Sequence, residues 1–170
     1  TGWIQFYVES AQEALDTVIQ AFRVAEQVLL PVLVNLDAFY VSHSLEPVSV
    51  PAQALVDAYL PPFAPTQRLD TAQPSSWGNV VSQDMYYRHR QDIEAAMARV
   101  PALAAAADRE WASHTGRSHG VVERYRCDGA ATVIVSMGSL CGTAREAVDA
   151  LRDAGQAVGL LKLRLFRPLP

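Results

Sequence analysis

Cysteine is scarce in this sequence, which has only Cys127 and Cys141 among its 170 residues. The two are isolated from each other and form neither a C-x-x-C pair nor a regular framework. An iron–sulfur cluster needs about four thiolate ligands, so this chain cannot hold a cluster by itself. We expect both cysteines to be free, mostly buried thiols in a reducing cytoplasm.

Long apolar runs and an excess of positive charge are also absent. No stretch is continuously apolar over the roughly 18 residues that a membrane span needs. Lysine and arginine total 14 against 18 aspartates and glutamates, a formal net charge of −4, which argues against a nucleic-acid surface. Half of the residues are hydrophobic, enough for a substantial core. With no initiator methionine or signal peptide and strand-like segments at both ends, we expect a piece of a larger protein.

The first part of the chain has the pattern of a strand–helix–strand unit. Trp3 to Val8 and Pro31 to Leu36 are strand candidates, which a right-handed crossover should place in parallel. Between them Ser10-Ala11-Gln12-Glu13 forms a capping box, in which the Ser10 hydroxyl accepts from the Glu13 amide and the Glu13 side chain reaches back to the Ser10 amide. Apolar residues then recur at helical steps, and this predicted core-facing set is Ala14, Leu15, Val18, Ile19, Phe22 and Ala25.

The middle of the chain predicts two helices around an irregular connection. A short helix is expected over 52–59 with Pro51 at its first position. Four prolines make the stretch from about Leu60 to Asn79 irregular, and we place a domain boundary in or after it. A longer helical pattern runs from about Gln83 to Ser113, where Pro101 should kink or split the helix and Gly116 should end it. Its apolar face comprises Met85, Tyr86, Ile93, Met97, Val100, Leu103, Ala107 and Trp111.

The final section predicts a second α/β unit, which makes α/β the expected fold class. Strands are expected over 121–126 and 132–137, followed by a helix to Ala154 and a strand over 157–165. At the cationic end of the chain, in this strand and just after it, Lys162, Arg164 and Arg167 alternate with apolar residues. Alternation is typical of a half-exposed strand, so we expect these cations to form a solvated face.

The loop from Asp37 to Glu46 is the first candidate site, because an apolar β-branched run breaks there into polar and aromatic residues. In open α/β sheets, ligands bind beyond the carboxyl ends of the strands. The side chains of Asp37, Ser42 and His43 are the candidates. The alternative is purely local, with Asp37 capping a turn and Ser42 and His43 solvated or bonded to the backbone.

Two further segments predict weaker sites. The strand–turn–helix Met137 to Thr143 could cradle a phosphate with backbone amides, but it lacks the full G-x-G-x-x-G spacing and the P-loop lysine. We favour a tight connection there. His114 and His119 with Glu123 could suggest a metal, yet they straddle glycines on a loop rather than one helix face. A basic turn is the preferred interpretation, in which Arg117 meets an anion or a neighbouring subunit.

Three segments together resemble the alpha subunit of pyruvate:ferredoxin oxidoreductase, also called pyruvate synthase. They are TGWIQ at 1–5, VNLDAFYVSHSLEPV at 34–48 and GLLKLRLFRP at 159–168. The resemblance implies that residues 1–60 are the C-terminal half of a parallel-sheet, pyrimidine-type thiamine diphosphate-binding domain. It further implies a linker and helical connection over 61–120 and the start of a transketolase C-terminal-like domain over 121–170.

The resemblance also implies a function for the complete protein. Family members use thiamine diphosphate with Mg²⁺ to cleave a 2-oxoacid, release CO2, deliver the acyl group to coenzyme A and reduce ferredoxin through iron–sulfur clusters. Pyruvate is the expected substrate, with 2-oxoisovalerate and 2-oxoglutarate as alternatives. The expected partners are beta, gamma and delta type subunits or their fused equivalents. No membrane and no nucleic acid is expected as a partner. A non-catalytic α/β scaffold or subunit-interaction module is the alternative of another class.

The family's catalytic glutamate and substrate-binding arginine would precede Thr1. We therefore expect no catalytic residue and no bound cofactor within this chain alone, and an inactive piece when isolated. Asp37, Ser42 and His43 are then candidates for the active-site wall or for the face toward a partner subunit.

Overall fold

The structure, a computed structural model, describes residues 2–65, 67–78 and 80–170. Thr1, which opens one family-like segment, and Asn79, which closes the predicted irregular stretch, lie outside the described residues, as does Thr66. The elements in chain order are β1 (Ile4–Val8), α1 (Ala11–Val28), β2 (Val32–Leu36), α2 (Gln53–Tyr59), α3 (Gln83–Thr115), β3 (Val122–Tyr125), β4 (Thr132–Ser136), α4 (Leu140–Asp153), β5 (Val158–Leu163) and β6 (Leu165–Arg167).

Two three-stranded sheets organise these elements. The first has the order β2–β1–β6, and the second has the order β3–β5–β4. Strands β1 and β2 are parallel and connected by α1, while β4 and β5 are parallel and connected by α4. Both predicted α/β units are therefore confirmed. Strands β6 and β3 pair antiparallel with β1 and β5, respectively.

The predicted strand over 157–165 is wrong as a single element, because the chain changes sheets at Arg164. Strand β5 ends at Leu163 in the second sheet, and β6 begins at Leu165 in the first. The amides of Arg164 and Leu165 both donate to the carbonyl of Val121, at 3.1 and 3.0 Å. The last strands thus join the two sheets, while the predicted division of the chain at residues 60 and 120 stays a prediction.

Helix α3 supplies much of the core beside the first sheet. It is one helix from Gln83 to Thr115, so Pro101 does not split it, and the predicted kink there stays a prediction. Gly116 ends the helix in the left-handed conformation as expected. Met85 and Tyr86, predicted to be buried, are exposed. The buried cluster comprises Ile4, Phe6, Val24, Val28, Met97, Val100, Ala104, Ala107 and Leu165.

Helix α1 presents an unexpected face to the interior. The Ser10 hydroxyl accepts from the Glu13 amide at 3.2 Å, as predicted, but the Glu13 carboxylate accepts from the Glu9 amide rather than from that of Ser10. The predicted core-facing set is also wrong, since Phe22 is 58% exposed and Val18 is exposed as well. The most buried polar positions are instead Glu13, Asp16, Thr17 and Gln20.

Within residues 2–65, 67–78 and 80–170, no helix combines the length and the apolar character that crossing a membrane requires.

Candidate functional site at the end of strand β2

The first two candidate sites predicted from the sequence lie next to each other in the structure. The loop that follows β2 meets the N-terminus of α4, where Asp37 Oδ2 accepts a hydrogen bond from the Ser139 amide at 2.5 Å. Gly138 makes this approach possible, because a Cβ there would lie 3.0 Å from the Asp37 carboxylate carbon and still closer to Oδ2. The groove between the two segments is lined by Asp37, Ala38, Tyr40, Ser139, Leu140 and Thr143.

The segment over 37–49, here called the β2 loop, folds into a tight turn at its start. The carbonyl of Asp37 accepts from the amides of Val41 and Ser42, at 3.2 and 3.3 Å. The Ser42 hydroxyl accepts from the Phe39 amide at 3.1 Å and lies 2.8 Å from His43 Nδ1. Phe39 has a φ of 66°, a conformation that a non-glycine side chain seldom adopts. Its ring lies against that of His43, with the centroids 5.0 Å apart.

Ser42 and His43 therefore lie together on an exposed surface, as a serine–histidine pair inside a turn. The serine is already bonded to the backbone, which is the local alternative that the sequence left open. In the part of the chain that the structure describes, no carboxylate orients His43, so the pair lacks the third group of a nucleophilic triad. The pair can offer hydrogen bonds to a ligand or partner, rather than a self-contained nucleophile.

The far end of the β2 loop is fastened to the N-terminus of α1. Glu46 Oε2 accepts from the Ala11 amide at 3.1 Å. Gln12 bonds twice to Ser49, with its Oε1 accepting from the amide at 2.6 Å and its Nε2 donating to the carbonyl at 3.3 Å. Acidic side chains thus meet the N-terminal ends of two helices, where negative charge is favoured.

The histidine segment, the third candidate, is occupied by structural contacts. Arg117 donates to both carboxylate oxygens of Asp16, at 2.8 and 2.9 Å, and His119 Nε2 lies 2.9 Å from the same carboxylate. The anion that Arg117 meets is therefore internal. His114 is exposed at the end of α3. Among the described residues, no group of three or more histidine, cysteine or acidic side chains could hold a metal ion.

The predicted solvated face of cations in the last strand is wrong for Lys162 and Arg164. Lys162 is 2% exposed and Arg164 is fully buried. Lys162 Nζ lies 2.9 Å from Glu13 Oε2 and 3.1 Å from Glu9 Oε1. The polar face of α1 is the physical reason, because it provides buried carboxylates opposite the strand.

Arg164 lies at the centre of this polar interior. Its guanidinium donates to the Thr17 hydroxyl, the Gln20 side-chain oxygen and the Gly120 carbonyl, each at 2.8 Å. Asp108 and Glu13 lie 3.4 Å away. Glu13, Asp16, Thr17 and Gln20 recur at steps of three, one and three residues along α1. That polar stripe on one helix face is the signal that could have predicted the network.

The charges of the network perturb its ionisable groups. Burial by itself raises the pKa of Asp16, but the bonds from Arg117 and His119 outweigh it and hold the pKa well below its usual value. The pKa of Glu9 is likewise lowered, because Arg145 and Lys162 outweigh the effect of burial. Burial raises the pKa of the Cys141 thiol, because it outweighs the lowering effects of Lys162 and Arg145.

The described residues do not fit a diphosphate or an iron–sulfur cluster. At the Gly138 turn, the Ser139 amide is already taken by the Asp37 carboxylate, whose negative charge would oppose a phosphate. Cys141 is buried, and the Cys127 thiol donates to the Leu160 carbonyl at 3.2 Å. Both cysteines are thus free thiols inside the fold.

Comparison with known proteins identifies the family. Residues 1–109 match the family of pyruvate flavodoxin/ferredoxin oxidoreductases, thiamine diphosphate-binding. Residues 130–170 match core domain II of pyruvate:ferredoxin oxidoreductase. The chain is 48% identical to pyruvate synthase subunit PorA of Methanothermobacter thermautotrophicus and 43% identical to that of Methanocaldococcus jannaschii, in each case over 100% of this chain and 45% of the relative.

Two more distant proteins extend the comparison. Ketoisovalerate oxidoreductase subunit VorA of Pyrococcus abyssi is 40% identical over 100% of this chain and 44% of its own length. A solved 2-oxoglutarate:ferredoxin oxidoreductase from Magnetococcus marinus, with 2-oxoglutarate, coenzyme A and succinyl-CoA bound, shares the fold with a TM-score of 0.63 at 16% identity. That match covers 99% of this chain and 32% of the solved one. The chain spans less than half the length of all these proteins, and it belongs to the pyruvate flavodoxin/ferredoxin oxidoreductase family.

Proposed function

We propose that the full-length protein is the alpha-type subunit of a thiamine diphosphate-dependent pyruvate:ferredoxin oxidoreductase. The complex would reversibly convert pyruvate and coenzyme A into acetyl-CoA and CO2, with the electron pair passing to ferredoxin. The identity of 48% to a pyruvate synthase subunit across the whole chain carries this proposal. The ketoisovalerate oxidoreductase relative at 40% identity makes 2-oxoisovalerate the second candidate substrate.

Within that complex, Asp37, Ser42 and His43 would belong to the active-site wall. Their place beyond the carboxyl end of β2 supports this role, since ligands of open α/β sheets bind at such ends. The exposure of Ser42 and His43 on a loop fastened at both ends supports it further. Thiamine diphosphate with its Mg²⁺ and the iron–sulfur clusters would be held by other parts of the subunit or by beta, gamma and delta type partners.

The test uses the native complex, purified without oxygen. Viologen reduction is followed with coenzyme A and, in turn, pyruvate, 2-oxoisovalerate and 2-oxoglutarate. We expect strong preference for pyruvate, loss of reduction when thiamine diphosphate is removed and recovery when it is returned. Preference for another 2-oxoacid would overturn the assignment of pyruvate as the substrate. A complex with intact clusters and bound thiamine that reduces viologen with none of them would favour a scaffold instead.

A further inference from the structure

We infer that Asp37 is a positioning residue, which holds the β2 loop in its presented conformation by joining it to the N-terminus of α4. This inference rests on the proposed function, because it assigns the part that Asp37 plays in the active-site wall. Ser42 and His43 would face the ligand or partner, while Asp37 would act through them. The complementary contact, Glu46 with α1, would hold the other end of the loop.

The carboxylate and the backbone carbonyl of Asp37 are both engaged inside the protein. Its carboxylate accepts from the Ser139 amide at 2.5 Å, and its carbonyl accepts from the amides of Val41 and Ser42. One residue therefore connects the first turn of the loop to a helix that lies 102 positions further along the chain. A carboxylate in this place also complements the positive end of the helix.

The backbone at Gly138 leaves space for this contact. The glycine has a φ of 67°, and a Cβ would collide with the Asp37 carboxylate. Gly129 has the same φ of 67°, yet a Cβ there would meet nothing within 4 Å. Alanine at either position meets the same backbone restriction, so only the collision with Asp37 distinguishes the two.

The β2 loop needs support from contacts outside its exposed tip. Phe39 has a left-handed backbone at the exposed tip, and such conformations persist only when surrounding contacts determine them. The Ser42 hydroxyl bonds to the Phe39 amide. The amide of Ser42 donates in turn to the Asp37 carbonyl. The contacts that support the tip therefore end at the backbone of Asp37, whose carboxylate is bonded to α4.

The experiment compares Asp37→Ala, Asp37→Asn, Gly138→Ala and Gly129→Ala in the full-length native complex. Hydrogen exchange of peptides covering the β2 loop reports its conformation, and viologen reduction gives kcat and KM for pyruvate. Losing a hydrogen bond to a charged group corresponds to a change of about tenfold in an equilibrium constant. We therefore expect about tenfold faster exchange at the Val41 and Ser42 amides and about tenfold higher KM in Asp37→Ala and Gly138→Ala, with a smaller change in kcat.

The controls separate positioning from other roles. Gly129→Ala should change neither the exchange rate nor KM. Asp37→Asn should have an exchange rate and a KM close to those of wild type, because its side-chain oxygen can still accept from the Ser139 amide. Activity lost without faster loop exchange would mean that Asp37 acts directly, and would overturn the inference. So would a Gly138→Ala complex indistinguishable from Gly129→Ala. If either Asp37→Ala or Gly138→Ala fails to assemble, the other still reports on the same contact.

The two proposals fail in different ways. A wild-type complex that reduces viologen with no 2-oxoacid would overturn the proposed function, whereas the exchange measurements would still decide whether Asp37 holds the loop. Unchanged exchange in Asp37→Ala, in a complex that turns over pyruvate, would overturn the inference alone.

Discussion

Replacing Lys162 with methionine tests the buried network directly. The substitution keeps an unbranched chain of similar length and removes the ammonium that lies 2.9 Å from Glu13 and 3.1 Å from Glu9. Glu13 is only 1% exposed, so its carboxylate could not turn to water. Removal of one partner from a buried ion pair leaves the other charge uncompensated.

The size of the effect follows from what remains around Glu13. Loss of one buried partner costs about 3–5 kcal/mol in the free energy of unfolding. Arg164 Nε stays 3.4 Å from Glu13 Oε1, so we expect the lower end, about 3 kcal/mol. Adding Glu13→Gln to Lys162→Met removes the uncompensated charge and should recover a large part of that loss.

Urea unfolding of the full-length subunit, followed by tryptophan fluorescence, measures the change. Arg124→Met is the matched control, because this cation lies on the neighbouring strand β3 with its side chain 69% exposed and 3.8 Å from Asp128. An exposed pair contributes little, so the control should be nearly neutral. If Lys162→Met lowered the free energy of unfolding as little as the control does, Lys162 would be solvated, and the reasoning from its burial would be refuted.

Asp16→Asn should lower the free energy of unfolding at pH 7, and the difference from wild type should shrink as the pH falls below the ordinary carboxyl value of 3.8. The pKa of Asp16 is lowered by folding, so its contribution is present above that value and is lost in acid; unfolding curves from pH 7 to pH 2 would show it, and a constant difference would contradict it. Gly159→Ala should cost about 1–3 kcal/mol through overpacking, because its Cβ would lie 2.8 Å from the Arg126 carbonyl oxygen and 2.9 Å from Cys127 Cα. Gly142→Ala, whose Cβ would meet nothing within 4 Å, is the control in thermal unfolding, and equal effects would argue against the close strand contact.

The sequence predicted helix α1 but not its inward face. A period of three and four residues identifies a helix, and the capping contact of Ser10 locates its start. The apolar stripe then indicates burial only if a covering element lies in the same chain. Here Val18 and Phe22 line an open groove with Val32 and Val34 of β2, in a chain that spans less than half of its relatives.

Alternation in the last strands correctly predicts β structure, but it wrongly predicts that the cations are exposed. The period of two places Lys162 on one face of β5, but it does not say what covers that face. The partner, Glu13, is 149 positions away. The polar stripe of α1 can mark one partner, but no local pattern shows that the two partners meet, and the interior is polar because two complementary charged surfaces meet there.

The candidate site shows the same limit. Strand ends and a glycine turn marked Asp37 and Gly138 separately, through rules that hold locally. Their contact depends on how the β2 loop meets the N-terminus of α4, which no spacing in the sequence expresses. The sequence therefore predicted the parts of the site, and only the fold brought them together.

The ionic contact between Glu13 and Lys162 has a consequence for how such proteins can be recombined. Glu13 lies within the segment matched by one family model and Lys162 within the segment matched by the other. A chimera that took one segment from this chain and the other from a relative would bring together an acid and a base selected in different backgrounds. Where the relative lacks either charge, the hybrid would bury the other charge without its partner. The two segments should therefore be exchanged together.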